Sequence, residues 1–179
     1  VGVSASTLVE DVVKEMGGDV IWTKVGSVII TEKINELIAN GKFAFGLEEN
    51  GGFFYTPMHP TRDGCMSLAL MLECLAKNKK RLSELDESLP KRWMMKTKVE
   101  VKHADRASII ENLASMFSKY RHDRIDGIRV WLNEKEWFLA RPSGTEPLIR
   151  IFAESDSPEK ANSILNEVKK LIEDIARNG

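Results

Sequence analysis

The sequence predicts a chain in two parts. The first is an α/β domain built from βαβ units on a mixed sheet. The second is an α+β domain whose antiparallel sheet carries helices on one face. Three observations lead there. Helical and strand periods alternate through the first half, which is the signature of βαβ units. In the second half three strand-like runs follow one another without an intervening helix. Between the halves, "KNKKRLSELDESLPKR" is charged and carries Pro90, so a domain boundary is placed near residues 85–95. The expected domains are 1–88 and 89–179.

The elements follow in order. Val1 to Ser4 reads as the end of a buried strand. "STLVEDVVKEMGG" places Leu8, Val12, Val13 and Met16 on one helical face, and Gly17-Gly18 ends it. "DVIWT" is a short apolar strand. In "SVIITEKINELIANG", Ile30, Ile34, Leu37 and Ile38 share a side. "KFAFG" and "GFFYT" are strands about the turn "LEENG". "DGCMSLALMLECLAK" is a helix expected to turn Leu68, Met71, Leu72 and Leu75 inward.

Beyond the boundary, "MMKTKVEVK" alternates as a strand does. Asp105 caps a helix that should bury Ile109, Ile110, Leu113, Met116, Phe117 and Tyr120. "GIRVWLN", "EWFLAR" and "LIRIFAE" are strands. The last helix starts from Ser157 with Pro158 in its first turn, and Ala161, Ile164, Leu165, Val168, Leu171, Ile172 and Ile175 form its apolar stripe. The second half therefore reads β-α-β-β-β-α.

Composition narrows the function classes. The chain has 179 residues, 42% hydrophobic and 30% charged, with a formal charge of −1, so no overall basic field recruits nucleic acid or a membrane. Cys65 and Cys74 have neither CxxC spacing nor a histidine at ligand spacing, which suits idle thiols in a reducing, cytoplasmic setting. No stretch resembles a signal peptide or a membrane span. The chain opens "VGVSASTLVE" without an initiator methionine and reads as a piece of a longer protein.

Two stretches carry chemistry. "RPSGTEPLIR" (Arg141 to Arg150) sits between strands and gathers a guanidinium, two hydroxyls and a glycine in one turn, a donor-rich set suited to a phosphate or carboxylate. Its ordinary reading is a solvated hairpin tip. "GLEENGGFF" offers Glu48, Asn50 and a Gly-Gly turn, equipment for hydrogen bonds with sugar hydroxyls; the plain alternative is a hairpin with a polar tip. Glu48 and Glu49 are adjacent and point opposite ways in extended backbone. "TKVGS" brings Lys24 and Ser27 to a Gly-containing helix start, and "PTRDGC" sets Arg62 and Asp63 before another helix, where Asp63 can cap. His59, His103 and His122 are isolated. No P-loop, GxSxG, HExxH or Asp-rich metal loop appears, and no nucleophile stands beside an activating base.

Together these turns resemble those of the α-D-phosphohexomutases, the phosphoglucomutase/phosphomannomutase family. "RPSGTEPLIR" is similar to the family's phosphate-binding loop and "GLEENGGFFY" to its sugar-binding loop, with "TKVGS" and "TRDG" as supporting turns. The resemblance covers nearly the whole chain and implies most of the third and all of the fourth of four domains. It implies that Arg141, Ser143, Gly144 and Thr145 bind the substrate's phosphate, that Glu48 and Asn50 bind the sugar, and that Lys24 and Ser27 lie near the cleft. Leu47 stands where glycine is usual, and Gly52 where some members have histidine. The resemblance also implies that the phosphoserine and the Mg²⁺ site belong to missing N-terminal domains. The catalytic serine and metal ligands are then outside this chain, and a glucose or mannose 1,6-bisphosphate serves as intermediate. Phosphoglucosamine mutase and a non-catalytic sugar-phosphate-binding module are the alternatives.

Overall fold

A computed structural model describes residues 1–101 and 105–178. The chain divides into two compact units, Val1–Lys91 and Arg92–Gly179.

The first unit holds helices α1 (Leu8–Glu15), α2 (Ser27–Ala39), α3 (Gly64–Asn78) and α4 (Leu82–Glu87), with strands β1 (Phe45–Leu47) and β2 (Phe53–Tyr55). β1 and β2 pair antiparallel as a hairpin. Its parallel content is narrower than the sequence suggests. "DVIWT" forms no strand, and only Thr23 bridges Gly2 in the parallel sense. Thr23 N donates to Val1 O at 2.8 Å, Val3 N to Thr23 O at 3.0 Å, and Gly2 N to Leu47 O at 3.3 Å. The first residues therefore lie between the Thr23 segment and the hairpin, and Val3 and Ser4 are buried.

Ile30 and Ile34 of α2 pack with Phe54 as the buried cluster of this unit. The other helices depart from expectation. α1 and α3 bury no residue: Leu68, Met71 and Leu72 of α3 are exposed, as are Met16, just past the end of α1, and Ile38 of α2. Helical period marks an apolar side, but whether that side meets a partner is settled by what packs against it. α3 is apolar on several sides, so the period could not choose among them. Asp63 does cap α3, its Oδ1 accepting from Met66 N at 2.9 Å. Cys65 and Cys74 are free thiols on the same helix. The charged stretch after α3 forms α4, where Arg81 N donates to Glu84 Oε2 at 2.7 Å.

The second unit comprises β3 (Trp93–Glu100), α5 (Arg106–Met116), β4 (Arg121–Asp123), β5 (Ile128–Trp131), β6 (Trp137–Pro142), β7 (Leu148–Ser155) and α6 (Pro158–Asn178). The strands form one antiparallel sheet in the order β3-β7-β6-β5-β4. Alternate residues supply the core face: Val99, Ile149, Ile151, Ala153, Phe138, Ala140, Ile128 and Val130 meet Ile109, Ile110 and Leu113 of α5 and the α6 stripe. Both caps hold. Asp105 accepts from Ala107 N and Ser108 N, and Ser157 Oγ from Lys160 N at 3.4 Å.

β4 was not foreseen. The helix ends at Met116 rather than Tyr120, and "RHD" returns as a short charged edge strand, which has no apolar alternation to betray it. Met116 and Tyr120 are consequently exposed, whereas Phe117 packs edge-on against Phe138 at 4.9 Å between ring centroids. Lys102, the last residue of the strand expected there, and His103 lie outside the described residues.

Candidate functional site

The donor-rich loop is the turn between β6 and β7. Arg141 stands directly across from Arg150, a like-charged pair that disfavours the hairpin unless each is neutralised. Each has its own carboxylate. Arg141 Nε donates to Asp126 Oδ2 at 2.8 Å with both side chains largely buried, and Arg150 pairs with Glu146 at 2.7 Å. Engaging Arg141 through Nε leaves the outer edge of its guanidinium for a ligand.

Ser143 is buried. Its N donates to Leu148 O, and its Oγ accepts from Glu146 N at 3.3 Å and Thr145 N at 3.5 Å. These contacts are at the long end for N–H···O bonds, so the two amides are held but not tightly engaged. Gly144 and Thr145 are exposed at the tip. A Cβ on Gly144 would meet nothing within 4 Å, and its φ lies outside the left-handed region. Nothing in the fold therefore requires glycine there.

Two braces were not visible in the sequence. Arg106, the first residue of α5, donates from Nη1 to Ser143 O at 2.7 Å and Glu146 O at 2.9 Å, spanning the loop. Its partners lie 37 and 40 residues away, beyond any local pattern. The second brace is Asp126-Gly127. Gly127 has φ of 81°, and a Cβ there would lie 2.2 Å from Ala140 O. Only glycine lets the chain run that close beside β6 and deliver Asp126 to Arg141. The Asp-Gly pair ahead of a strand was the available signal.

The second loop closes the β1–β2 hairpin. Glu48 is only 9% exposed, and its Oε2 accepts from Arg62 Nη1 at 2.9 Å. The hairpin thus turns Glu48 inward, against the segment that leads into α3. Glu48 N donates to Gly52 O, Gly51 N to Glu48 O, and Gly52 N to Asn50 Oδ1, with Gly51 at positive φ. A hollow of about 470 Å³ opens beside this turn, lined by Asn50, Gly51, Gly52, Arg62, Asp63 and Ser67, among others. His59 Nε2 lies 3.6 Å from Asp63 Oδ2.

Lys24 is exposed on the turn before α2, Gly26 occupies the cap position, and Ser27 begins the helix. Neither Lys24 nor Ser27 lines the hollow. Each unit thus carries one built loop: a donor-rich set in the second, and a carboxylate–amide set in the first.

Comparison with known proteins agrees with this division. Residues 2–93 match the phosphoglucomutase/phosphomannomutase alpha/beta/alpha domain III, and residues 94–171 match the C-terminal domain of the same family. A phosphoglucosamine/phosphogalactosamine mutase of Sulfurisphaera tokodaii is 42% identical over 96% of this chain and 37% of its own length. A phosphoglucomutase/phosphomannomutase of Thermococcus kodakarensis is 40% identical over the same shares. The fold is shared with N-acetylphosphoglucosamine mutase of Aspergillus fumigatus, solved with glucose 1,6-bisphosphate (TM-score 0.70, 16% identity, 98% of this chain and 38% of that one). The chain spans a little over a third of the length of the curated relatives it matches. It belongs to the phosphoglucomutase/phosphomannomutase family and carries that family's domain III and C-terminal domain.

Proposed function

We propose that the full polypeptide carrying these residues interconverts the 1- and 6-phosphates of glucose or mannose. In this reading residues 1–88 hold the sugar and residues 89–179 hold the phosphate. The observation that carries it is the β6–β7 loop: exposed donors at its tip, on a backbone braced by Arg106, with the Arg141 side chain held by Asp126. The outer edge of Arg141, the Ser143 hydroxyl and the Thr145 hydroxyl would bind the phosphate that is not transferred. The open space at Gly144 lets an anion approach the backbone. Glu48 and Asn50 would hold the sugar hydroxyls, with Lys24 and Ser27 toward the cleft.

The reaction moves a phosphoryl group from a phosphoserine outside this chain to the free sugar hydroxyl, whose proton is given up as the serine oxygen left behind takes one; the return step runs the same exchange in reverse. The bisphosphate turns round, and its other phosphoryl returns to the serine. Such a cycle needs one site that grips a phosphate from either end of the sugar and another that grips hydroxyls common to both orientations. Positioning and charge stabilisation are most of what phosphoryl transfer asks of a protein. Mg²⁺ accompanies an Aspergillus fumigatus relative in its solved structure. Among the described residues no group of three or more His, Cys, Asp or Glu is placed to hold a metal. In this reading Mg²⁺ is held by residues outside this chain, as the family resemblance implies, and no step is routed through it here.

Amino-sugar phosphates are the second reading, favoured by relatives named phosphoglucosamine mutases at 42% and 35% identity. The test is mutase turnover of the full-length protein on glucose, mannose and glucosamine 1-phosphates, with and without Arg141→Ala. Loss of a charge-assisted phosphate contact of about 1.5–3 kcal/mol should lower kcat/KM by about 10- to 150-fold. An unchanged kcat/KM would overturn the phosphate assignment. Turnover by the 179 residues alone would overturn the division of labour.

A further inference from the structure

We propose that Arg62 is a positioning residue of the sugar site, holding the Glu48 carboxylate toward the sugar hydroxyls, and that Gly52 is small in order to admit it. This rests on the reading of the Glu48 loop as the sugar-binding loop.

Three observations carry it. First, Glu48 is nearly buried, and a carboxylate in that setting needs a donor of its own. Arg62 Nη1 supplies it on Oε2, and among the described residues no donor is bonded to Oε1, which is left for a ligand. Second, Arg62 does not arrive from a free loop. Its backbone bridges Phe54, and Asp63 N next to it donates to Phe53 O at 3.4 Å before Asp63 caps α3. The guanidinium is thereby anchored beside the hairpin that carries Glu48.

Third, the space over Gly52 is tight although its backbone is ordinary, because its φ lies outside the left-handed region, and a side chain there would make its neighbours shift by a few tenths of an ångström. A Cβ there would stand 3.0 Å from Glu48 Oε2, 3.1 Å from Arg62 Cδ and 3.2 Å from Asn50 Oδ1. The side chains of Glu48, Asn50 and Arg62 converge over one bare Cα. The space a larger residue 52 would claim is taken by Arg62.

About half of the Arg62 side chain remains exposed and lines the hollow with Asn50 and Asp63. Its outer N–H groups and Glu48 Oε1 make an adjacent donor and acceptor. That pair fits neighbouring hydroxyls of a pyranose, one accepting from the guanidinium and one donating to the carboxylate.

The test uses the full-length protein and reads kcat and KM for glucose 1-phosphate, inhibition by inorganic phosphate, and thermal midpoint. Arg62→Met should lower kcat/KM about tenfold, and Arg62→Lys should recover part of the loss. Gly52→Ala removes no charge yet should give a similar loss by displacing Arg62. In a Glu48→Gln background Arg62→Met should add less than about twofold, because the two act as one unit. Inhibition by inorganic phosphate should stay at its original strength throughout. If Arg62→Met and Gly52→Ala stay within twofold of the parent while Glu48→Gln is impaired, Arg62 has no positioning role and the sugar reading stands. If phosphate inhibition and thermal midpoint fall together with activity and Arg62→Lys recovers nothing, Arg62 is merely structural and the proposal is overturned. If Glu48→Gln is itself without effect, the sugar reading fails and takes this inference with it.

Discussion

In the unit from Val1 to Lys91 the buried cluster is Ile30, Ile34 and Phe54, whereas the unit from Arg92 onward gathers β3, β5, β6, β7 and both helices around a continuous core that runs from Val99 to Ile172. The loops differ in the same direction. The β6–β7 loop is braced from the start of α5 and from the Asp126-Gly127 turn; the β1–β2 loop leans on the single cation of Arg62. A five-stranded sheet with two helices on one face can support a loop from several directions. A two-stranded hairpin cannot. The second unit thus has its loop geometry built in, and the first keeps its carboxylate in place by one ion pair over one glycine.

The largest expected effect separates the two cores. Leu113→Ala should destabilise the chain by about 2–5 kcal/mol in urea unfolding, since the side chain is fully buried in a close-packed core. Leu72→Ala on α3 should stay within about 0.5 kcal/mol, because that leucine is 57% exposed. A large loss at Leu72 would show that α3 is packed in solution and would break the contrast.

Next comes a pair of glycines in the second unit. Gly127→Ala should cost about 1–3 kcal/mol or more, from positive φ and the approach to Ala140 O. Gly144→Ala should leave the urea midpoint unchanged and impair only the use of sugar phosphates by the full-length protein. Equal loss of stability at both positions would mean that the tip of the loop is structural.

In the first unit, Glu48→Gln should reduce turnover of the full-length protein by about tenfold, and Glu49→Gln far less. Glu48 is turned inward to Arg62. Equal effects would overturn the assignment of Glu48 as the sugar-facing residue.

The smallest effect is electrostatic. The Lys160 ammonium hydrogen-bonded to Asp156 holds that carboxyl below its usual range. A depressed folded value contributes stability that is present above the ordinary carboxylate range and lost as pH falls through the depressed value. The group is exposed, so Asp156→Asn should shift the thermal midpoint barely, and less still in high salt. A large shift would show that the start of α6 depends on that pair.

Much of the second unit was legible because its signals are local. The α6 stripe, the Asp105 and Ser157 caps and the alternation through β5, β6 and β7 all follow from residues within a few positions of one another. The short charged edge strand β4 gave no such signal. In the first unit, Ile30 and Ile34 were legible from their spacing, while the exposure of Leu68, Met71 and Leu72 was not.

By itself the sequence determined the class of fold, the caps, the two loops and the chemistry each can offer, because periodicity, capping and turn composition are short-range properties. Only the tertiary structure decided that Asp126 meets Arg141, that Arg106 spans the loop 37 to 40 residues away, and that Arg62 fills the space over Gly52 to reach Glu48. Those contacts join residues that no local pattern relates, and they exist because sheet register and helix packing carry distant backbone segments to within a hydrogen bond of one another.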